Sequence, residues 1–219
     1  MTVTIAGHNI DAEINRLDLC KKDIMDLTPL QGLTAIECLA LEENRIVDLS
    51  PLSTLTYLKT LFLYQNKIAD ITPICNLINL ETLSLWDNQV DNLVPLCRLK
   101  NLKALGLGRN NIVDIAPLQS LENLYELDLE HNRINNVIPL KFLLNLPKLY
   151  LSDNQIKDVS PLNGLFNLVE LGLYQNQITD VTPIYSLCKL TKLEIQNNPL
   201  TKSQIDKLQI ALPNCEILF

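Results

Sequence analysis

Residues 58–80 read LKTLFLYQNKIADITPICNLINL, and the way this stretch recurs decides the fold. Leu58 leads into Leu61 and Leu63, an LxL stretch whose alternation is the pattern of a short strand with one buried face. Asn66 follows where the chain must turn. Its amide both donates and accepts, so it can satisfy backbone groups within its own turn and in a neighbouring one. Ile68, Asp70 and Ile71 lead into Thr72-Pro73, which sets a capping hydroxyl ahead of a proline at the first position of a helical turn. Ile74 and Leu77 then suit about one turn of α- or 3-10 helix. Leu80 already belongs to the next unit, so no long helix fits between strands.

Outward from this stretch the same phase holds along the chain. Asparagine stands at 44, 66, 88, 110, 132, 154, 176 and 198, in steps of 22, with Lys22 at the position one step earlier. Proline stands at 29, 51, 73, 95, 117, 139, 161 and 183, in the same steps. Two unrelated residue types keeping one phase without an insertion define a repeat architecture. The reading is a single α/β solenoid of nine turns. Strands near 16–20, 38–42, 60–64 and onward every 22 residues form a parallel concave sheet, and short turns or 3-10 helices form the convex side. Asp48, Asp70, Asp114, Asp158 and Asp180 recur with the period, which marks them as turn chemistry.

Both ends need covers, because each turn buries its apolar side only against its neighbours. Residues 1–14 form an N-terminal cap, in which Val3 and Ile5 suggest a strand covering Leu17 and Leu19. Residues 15–200 hold the repeats, and 201–219 form a C-terminal cap. There Thr201 and Gln204 match a capping box, Ile205, Leu208 and Leu212 follow at helical spacing, Pro213 stops the helix, and Cys215, Ile217 and Phe219 alternate as a last strand.

The unit LxxLxLxxNxI, followed by D-(I/L/V)-(S/T)-P-L, resembles the 22-residue leucine-rich repeats of bacterial internalin-like proteins and of the eukaryotic phosphatase-1 regulator type. The closing stretch NNPLTKSQIDKLQIALPNCEILF looks like the final cap of bacterial leucine-rich repeats. The resemblance implies a leucine-rich-repeat horseshoe, and a protein that binds partners and catalyses nothing. It also implies two alternatives: a regulatory subunit of an enzyme such as a phosphatase, or a secreted or surface adhesion module lacking its signal and anchor.

Composition narrows the partner. Of 219 residues, 47% are apolar and 20% charged, which fits a globular chain, and the net charge of -7 lacks the basic footprint nucleic acid requires. No apolar run of membrane-spanning length occurs, so no membrane insertion is expected. The start of the chain shows no basic stretch followed by an apolar segment, and the six cysteines form no CxxC pair. The expectation is a cytoplasmic monomer with reduced thiols, a secreted or surface location being the alternative.

The solvent-facing strand positions form rows across the turns. Phe62, Tyr64 and Trp86 cluster on turns three and four. Gly106 and Gly108 make turn five low ground. Glu126, Asp128 and Glu130 make turn six acidic, with His131 and Arg133 beside them, and Tyr150 and Tyr174 continue beyond. Aromatic anchors beside charge are an interface composition. The candidate partner-binding residues are Phe62, Tyr64, Trp86, Gly106, Gly108, Arg109, Asp128, Glu130, His131, Tyr150 and Tyr174, facing a protein or peptide ligand. The competing reading is ordinary sheet composition: glycines that only make room for Trp86, and acids that form a solvated stripe balanced by Arg109, Arg133 and Lys148. Chemistry finds little support. The two histidines, His8 and His131, lack a second His or Cys to complete a metal site, and no phosphate-cradling glycine motif occurs. No cofactor, metal or catalytic residue is assigned.

Overall fold

The computed structural model describes residues 2–5, 7–11 and 13–219. Among them, Thr2–Ile5 (β1) and His8–Asp11 (β2) form an antiparallel hairpin. Ten strands then share one parallel sheet: Arg16–Asp18 (β3), Cys38–Ala40 (β4), Thr60–Phe62 (β5), Thr82–Ser84 (β6), Ala104–Gly106 (β7), Glu126–Asp128 (β8), Lys148–Tyr150 (β9), Glu170–Gly172 (β10), Lys192–Glu194 (β11) and Glu216–Leu218 (β12). The order in the sheet is the order in the sequence, and each strand pairs 22 residues on, as in Leu61 opposite Leu83. This is a horseshoe-like leucine-rich solenoid. The leucines and isoleucines at 58, 61, 63, 68, 71, 74 and 77 are all buried, and the same seven positions are buried in the five turns after it. A buried leucine contributes about 1.5–3 kcal/mol, so a turn without its neighbours would forfeit most of its stability.

Each asparagine works as the repeat suggests. The Asn110 Nδ2 donates to the carbonyls of Leu85 at 2.9 Å, Leu107 at 3.0 Å and Gly108 at 3.1 Å, while its Oδ1 accepts from the Val90 N–H at 2.8 Å. One side chain thus ties two turns. The rungs run from Asn44 to Asn198, the last being half-buried. A second ladder, unforeseen from the sequence, runs along Asn79, Asn101, Asn123, Asn145 and Asn167, each donating to a carbonyl 23 residues earlier.

Three expectations change. The strands are three residues long, not five; backbone bonds to the next turn continue past them, as from Leu63 N–H to the Ser84 carbonyl, up to the row Lys21, Glu43, Gln65, Asp87, Arg109, His131, Asp153, Gln175 and Asn197, which adopts left-handed backbone with φ between 51° and 58°. The chain must bend there to bring the asparagine inward. The hydroxyl before proline does not cap the 3-10 turns. The residue that caps Thr72–Ile74 is Ile71, without a side-chain bond, and Asp70 Oδ1 instead accepts the Thr72 N–H at 2.8 Å. Asn92 and Asn136 replace aspartate in the same role, which explains why Val94 and Ile138 can stand where other turns have Ser or Thr. The front cap is a hairpin outside the main sheet. Its Ile5 and Ile10 join the core, while the side chain of Val3 lies outside the described residues.

At the far end Lys202–Ala211 (α1) starts with a complete capping box, Thr201 and Gln204 bonding each other's backbone. Leu208 and Leu212 cover the last turn, and Ile217 pairs with Leu193. Phe219 stays exposed and is not part of β12.

Candidate functional site

The concave face carries side chains from the strands and the two or three residues after each. At its centre, Trp86 leans across the next turn and lies over Gly108. A Cβ at Gly108 would overlap the indole and stand 3.0 Å from Asp128 Oδ1. Gly108 is therefore roofed, and is not the open ground expected. Gly106 is the real depression: a Cβ there would meet only Ser84, at 3.5 Å and beyond. Tyr64 packs against Trp86 with centroids 5.3 Å apart at 45°, and the Arg109 guanidinium sits 4.9 Å above the indole centroid. These contacts leave Tyr64 and Trp86 half-buried instead of fully exposed, and Phe62 is half-buried as well.

The result is a trough of roughly 420 Å³. Thr82, Ser84, Ala104 and Gly106 floor it, Tyr64 and Trp86 wall one side, and Glu126 and Asp128 wall the other. Small residues on β6 and β7 between large ones on the flanking turns create the depth.

Beyond the trough, two of the remaining candidates, Tyr150 and His131, are engaged with carboxylates of the neighbouring turn. The Tyr150 hydroxyl donates to Glu170 Oε2 at 2.6 Å, and burial followed by this bond pushes the phenol above its ordinary value. The same bond, ahead of Lys148, holds Glu170 below the usual carboxylate range. His131 Nδ1 lies 3.2 Å from Asp153 Oδ2. Tyr174 is half-buried and continues the row occupied by Trp86.

Turn six is electrostatically unusual. Asp128 accepts the Glu130 N–H at 2.9 Å, yet burial, reinforced by Glu130 and Glu126, pushes its carboxyl up to about 6. The expected counter-charges point elsewhere: Arg109 to the indole, Arg133 to Asn111 Oδ1 at 3.2 Å, and Lys148 to Glu170 at 3.4 Å. Among the described residues no group of three or more His, Cys, Asp or Glu is arranged to hold a metal ion.

Family models for leucine-rich repeats match residues 56–98, 78–119 and 166–209 as pairs of copies, and 123–143 as a single copy. Among solved structures, internalin C2 of Listeria monocytogenes is 34% identical, with 90% of this chain aligned to 87% of that one and a TM-score of 0.81. The chain belongs to the leucine-rich-repeat family. A leucine-rich-repeat protein of Leptospira interrogans is 28% identical over 89% of this chain and 57% of its own, with a TM-score of 0.73. The ectodomain of a plant membrane receptor kinase from Arabidopsis thaliana, solved in complex with Casparian strip integrity factor 2, shares the fold at 20% identity, with 89% of this chain on 26% of that one and a TM-score of 0.77. A search of curated proteins found no match. Leucine-rich-repeat proteins mediate protein–protein interactions, and internalin-like members are typically non-catalytic. No helix in the described residues is long and apolar enough to cross a membrane.

Several residues of this leucine-rich-repeat face escaped the sequence reading. Thr82, Ser84 and Ala104 line the trough. Ser152 is buried with no partner for its hydroxyl, beside Gly172. Small residues carry no pattern of their own, and their meaning comes from what the turns on either side place above them.

Proposed function

We propose that this leucine-rich-repeat protein is a non-catalytic module that binds a protein or peptide across its concave face. Its contact surface is the set Phe62, Tyr64, Trp86, Gly106, Gly108, Arg109, Asp128, Glu130, His131, Tyr150 and Tyr174, centred on the trough. The observation that carries the reading is the trough itself, where an aromatic wall faces carboxylates that form no ion pair among the described residues. An extended segment laid across the sheet would set an apolar side chain against Tyr64 and Trp86 and a cationic one toward Asp128 and Glu130. The protein acts as a monomer in this reading. Its six cysteines are free, which favours a reducing, cytoplasmic compartment. The similarity to an internalin favours the rival, a secreted or surface module.

The test is affinity capture from the source cells on three immobilised proteins: wild type, Trp86→Ala and Lys141→Ala, the last on the convex side. The expected result is a protein held by wild type and Lys141→Ala and missing from Trp86→Ala. A protein held by all but Lys141→Ala would contradict the reading.

A further inference from the structure

Nearly every carboxylate on the concave face has a partner within the chain. Glu43 pairs with Lys21 at 2.9 Å, Glu170 with Lys148 and Tyr150, Glu194 with Lys192, and Asp153 with His131. Asp87 accepts from Gln65 Nε2 at 3.0 Å, and Glu42 from Cys20 Sγ at 2.6 Å. Turn six departs from this rule. Among the described residues the side chains of Glu126 and Glu130 make no hydrogen bond or ion pair, and Asp128 has only the Glu130 N–H. The three stand at alternate positions of one extended segment, about 7 Å apart per step. That spacing is too wide for one metal ion, in keeping with the lack of a metal-holding group among the described residues.

A second, independent feature meets them. Ser152 is 4% exposed and its Oγ has no hydrogen-bond partner. It converges with Glu130 over Gly172: a Cβ on that glycine would stand 3.0 Å from Ser152 Oγ and 3.5 Å from Glu130 Oε1. A buried hydroxyl left without a partner is a destabilising feature that a bound donor or acceptor relieves.

Resting on the concave-face reading, we propose that Glu126, Asp128, Glu130 and Ser152 receive the guanidinium groups of an arginine-bearing segment of the partner. A guanidinium is planar and forks its five donors, so it can bridge carboxylates set too far apart for a compact ion and reach the serine oxygen as well. Its face stacks on aromatic rings, and the chain's own Arg109 on Trp86 shows that this indole accepts such a group. Lysine offers a compact, strongly hydrated charge that cannot bridge in this way. A guanidinium beside Asp128 would also hold ionised a carboxyl that burial otherwise pushes up to about 6.

Trp86 is the single tryptophan of the sequence, so its fluorescence reports on the site without a label. The experiment titrates acetyl-hexaarginine amide, with acetyl-hexalysine amide as the probe of charge alone. Hexaarginine is expected to bind about tenfold more tightly and to change the Trp86 emission. Glu126→Gln, Asp128→Asn and Glu130→Gln together should abolish that preference, and Ser152→Ala should weaken hexaarginine about threefold. A control neutralising Asp91, Glu122 and Asp206, all exposed and off this face, should bind like wild type. If the triple variant fails to fold, Glu126→Gln alone and Ser152→Ala carry the test. Equal affinity for the two peptides, equal loss in the control, or no binding overturns the proposal. If it fails while Trp86→Ala still loses the captured partner, the guanidinium assignment falls and the concave reading stands.

Discussion

The asparagine spine and the concave face lie a few residues apart in every turn and follow opposite rules. Along the spine, Asn44 to Asn198 repeat one amide and one set of bonds, and chemistry varies only where Lys22 ends the series. On the concave face the equivalent positions run Tyr64, Trp86, Gly108, Glu130, Ser152 and Tyr174, no two neighbours alike. The spine is uniform because each rung must match the backbone groups of the next turn, which are the same everywhere. The face is free of that demand, since its strands are already paired through the backbone. Identity that repeats belongs to the fold, and identity that varies is available for recognition. The convex side shows the point again. Asp70 and its equivalents recur, and each does the same work on the N–H two residues on.

The largest effect should come from breaking the spine. Asn110→Ala leaves the Val90 N–H without its acceptor and takes one of two donors from each of the Leu85, Leu107 and Gly108 carbonyls, and should cost roughly 2–3 kcal/mol in a urea titration. Lys22→Ala should cost much less, because no amide stands there. Equal losses would erase the distinction between spine and end.

The next effect separates two glycines the sequence makes look alike. Gly108→Ala drives a methyl into the indole of Trp86, and should cost about 1–2 kcal/mol while shifting the Trp86 emission toward that of an exposed ring. Gly106→Ala meets only ordinary contact with Ser84 and should leave both stability and emission almost unchanged.

A third prediction concerns pH. Asp128 has its folded value raised to about 6 from 3.8, so the folded state binds the proton more tightly. Its contribution to stability is full below 3.8 and is lost as pH rises through about 6. Asp128→Asn should therefore stabilise the protein at pH 7, by about 1–2 kcal/mol after allowing for partial exposure, and remove that decline. Asp26, Asp48, Asp70 and Asp158 have the opposite sign. Hydrogen bonds from Thr28, Ser50, Thr72 and Ser160 lower their values, so their contribution is present above 3.8 and is lost as pH falls further. Chemical unfolding of wild type and Asp128→Asn between pH 3 and 8 reads both.

The smallest effect lies in the bend that ends each strand. Gln175 holds φ at 53°, which asparagine tolerates better, so Gln175→Asn should stabilise by about 0.5 kcal/mol, measured as a small rise in the urea midpoint.

These contrasts also explain what could be read from the sequence. The solenoid, its parallel sheet and the amide ladder were legible because Asn and Pro mark the same backbone need in turn after turn. The bend was not, since Lys21, Gln65, Arg109 and Gln175 share a left-handed backbone without any residue type to announce it. The concave location of Tyr64, Trp86, Asp128 and Tyr150 followed from strand alternation. Their pairings did not: Arg109 on Trp86, Tyr150 on Glu170 and the roof over Gly108 are set by side-chain reach between turns, which spacing does not encode.

The central claim is that binding resides on the concave face, and surface plasmon resonance on the captured partner tests it most directly. Trp86→Ala should weaken binding by about 2 kcal/mol, roughly thirtyfold, as anchor aromatics do, while Lys141→Ala on the convex side should bind within about twofold of wild type. Trp86→Ala binding like wild type, with Lys141→Ala impaired, would contradict the account.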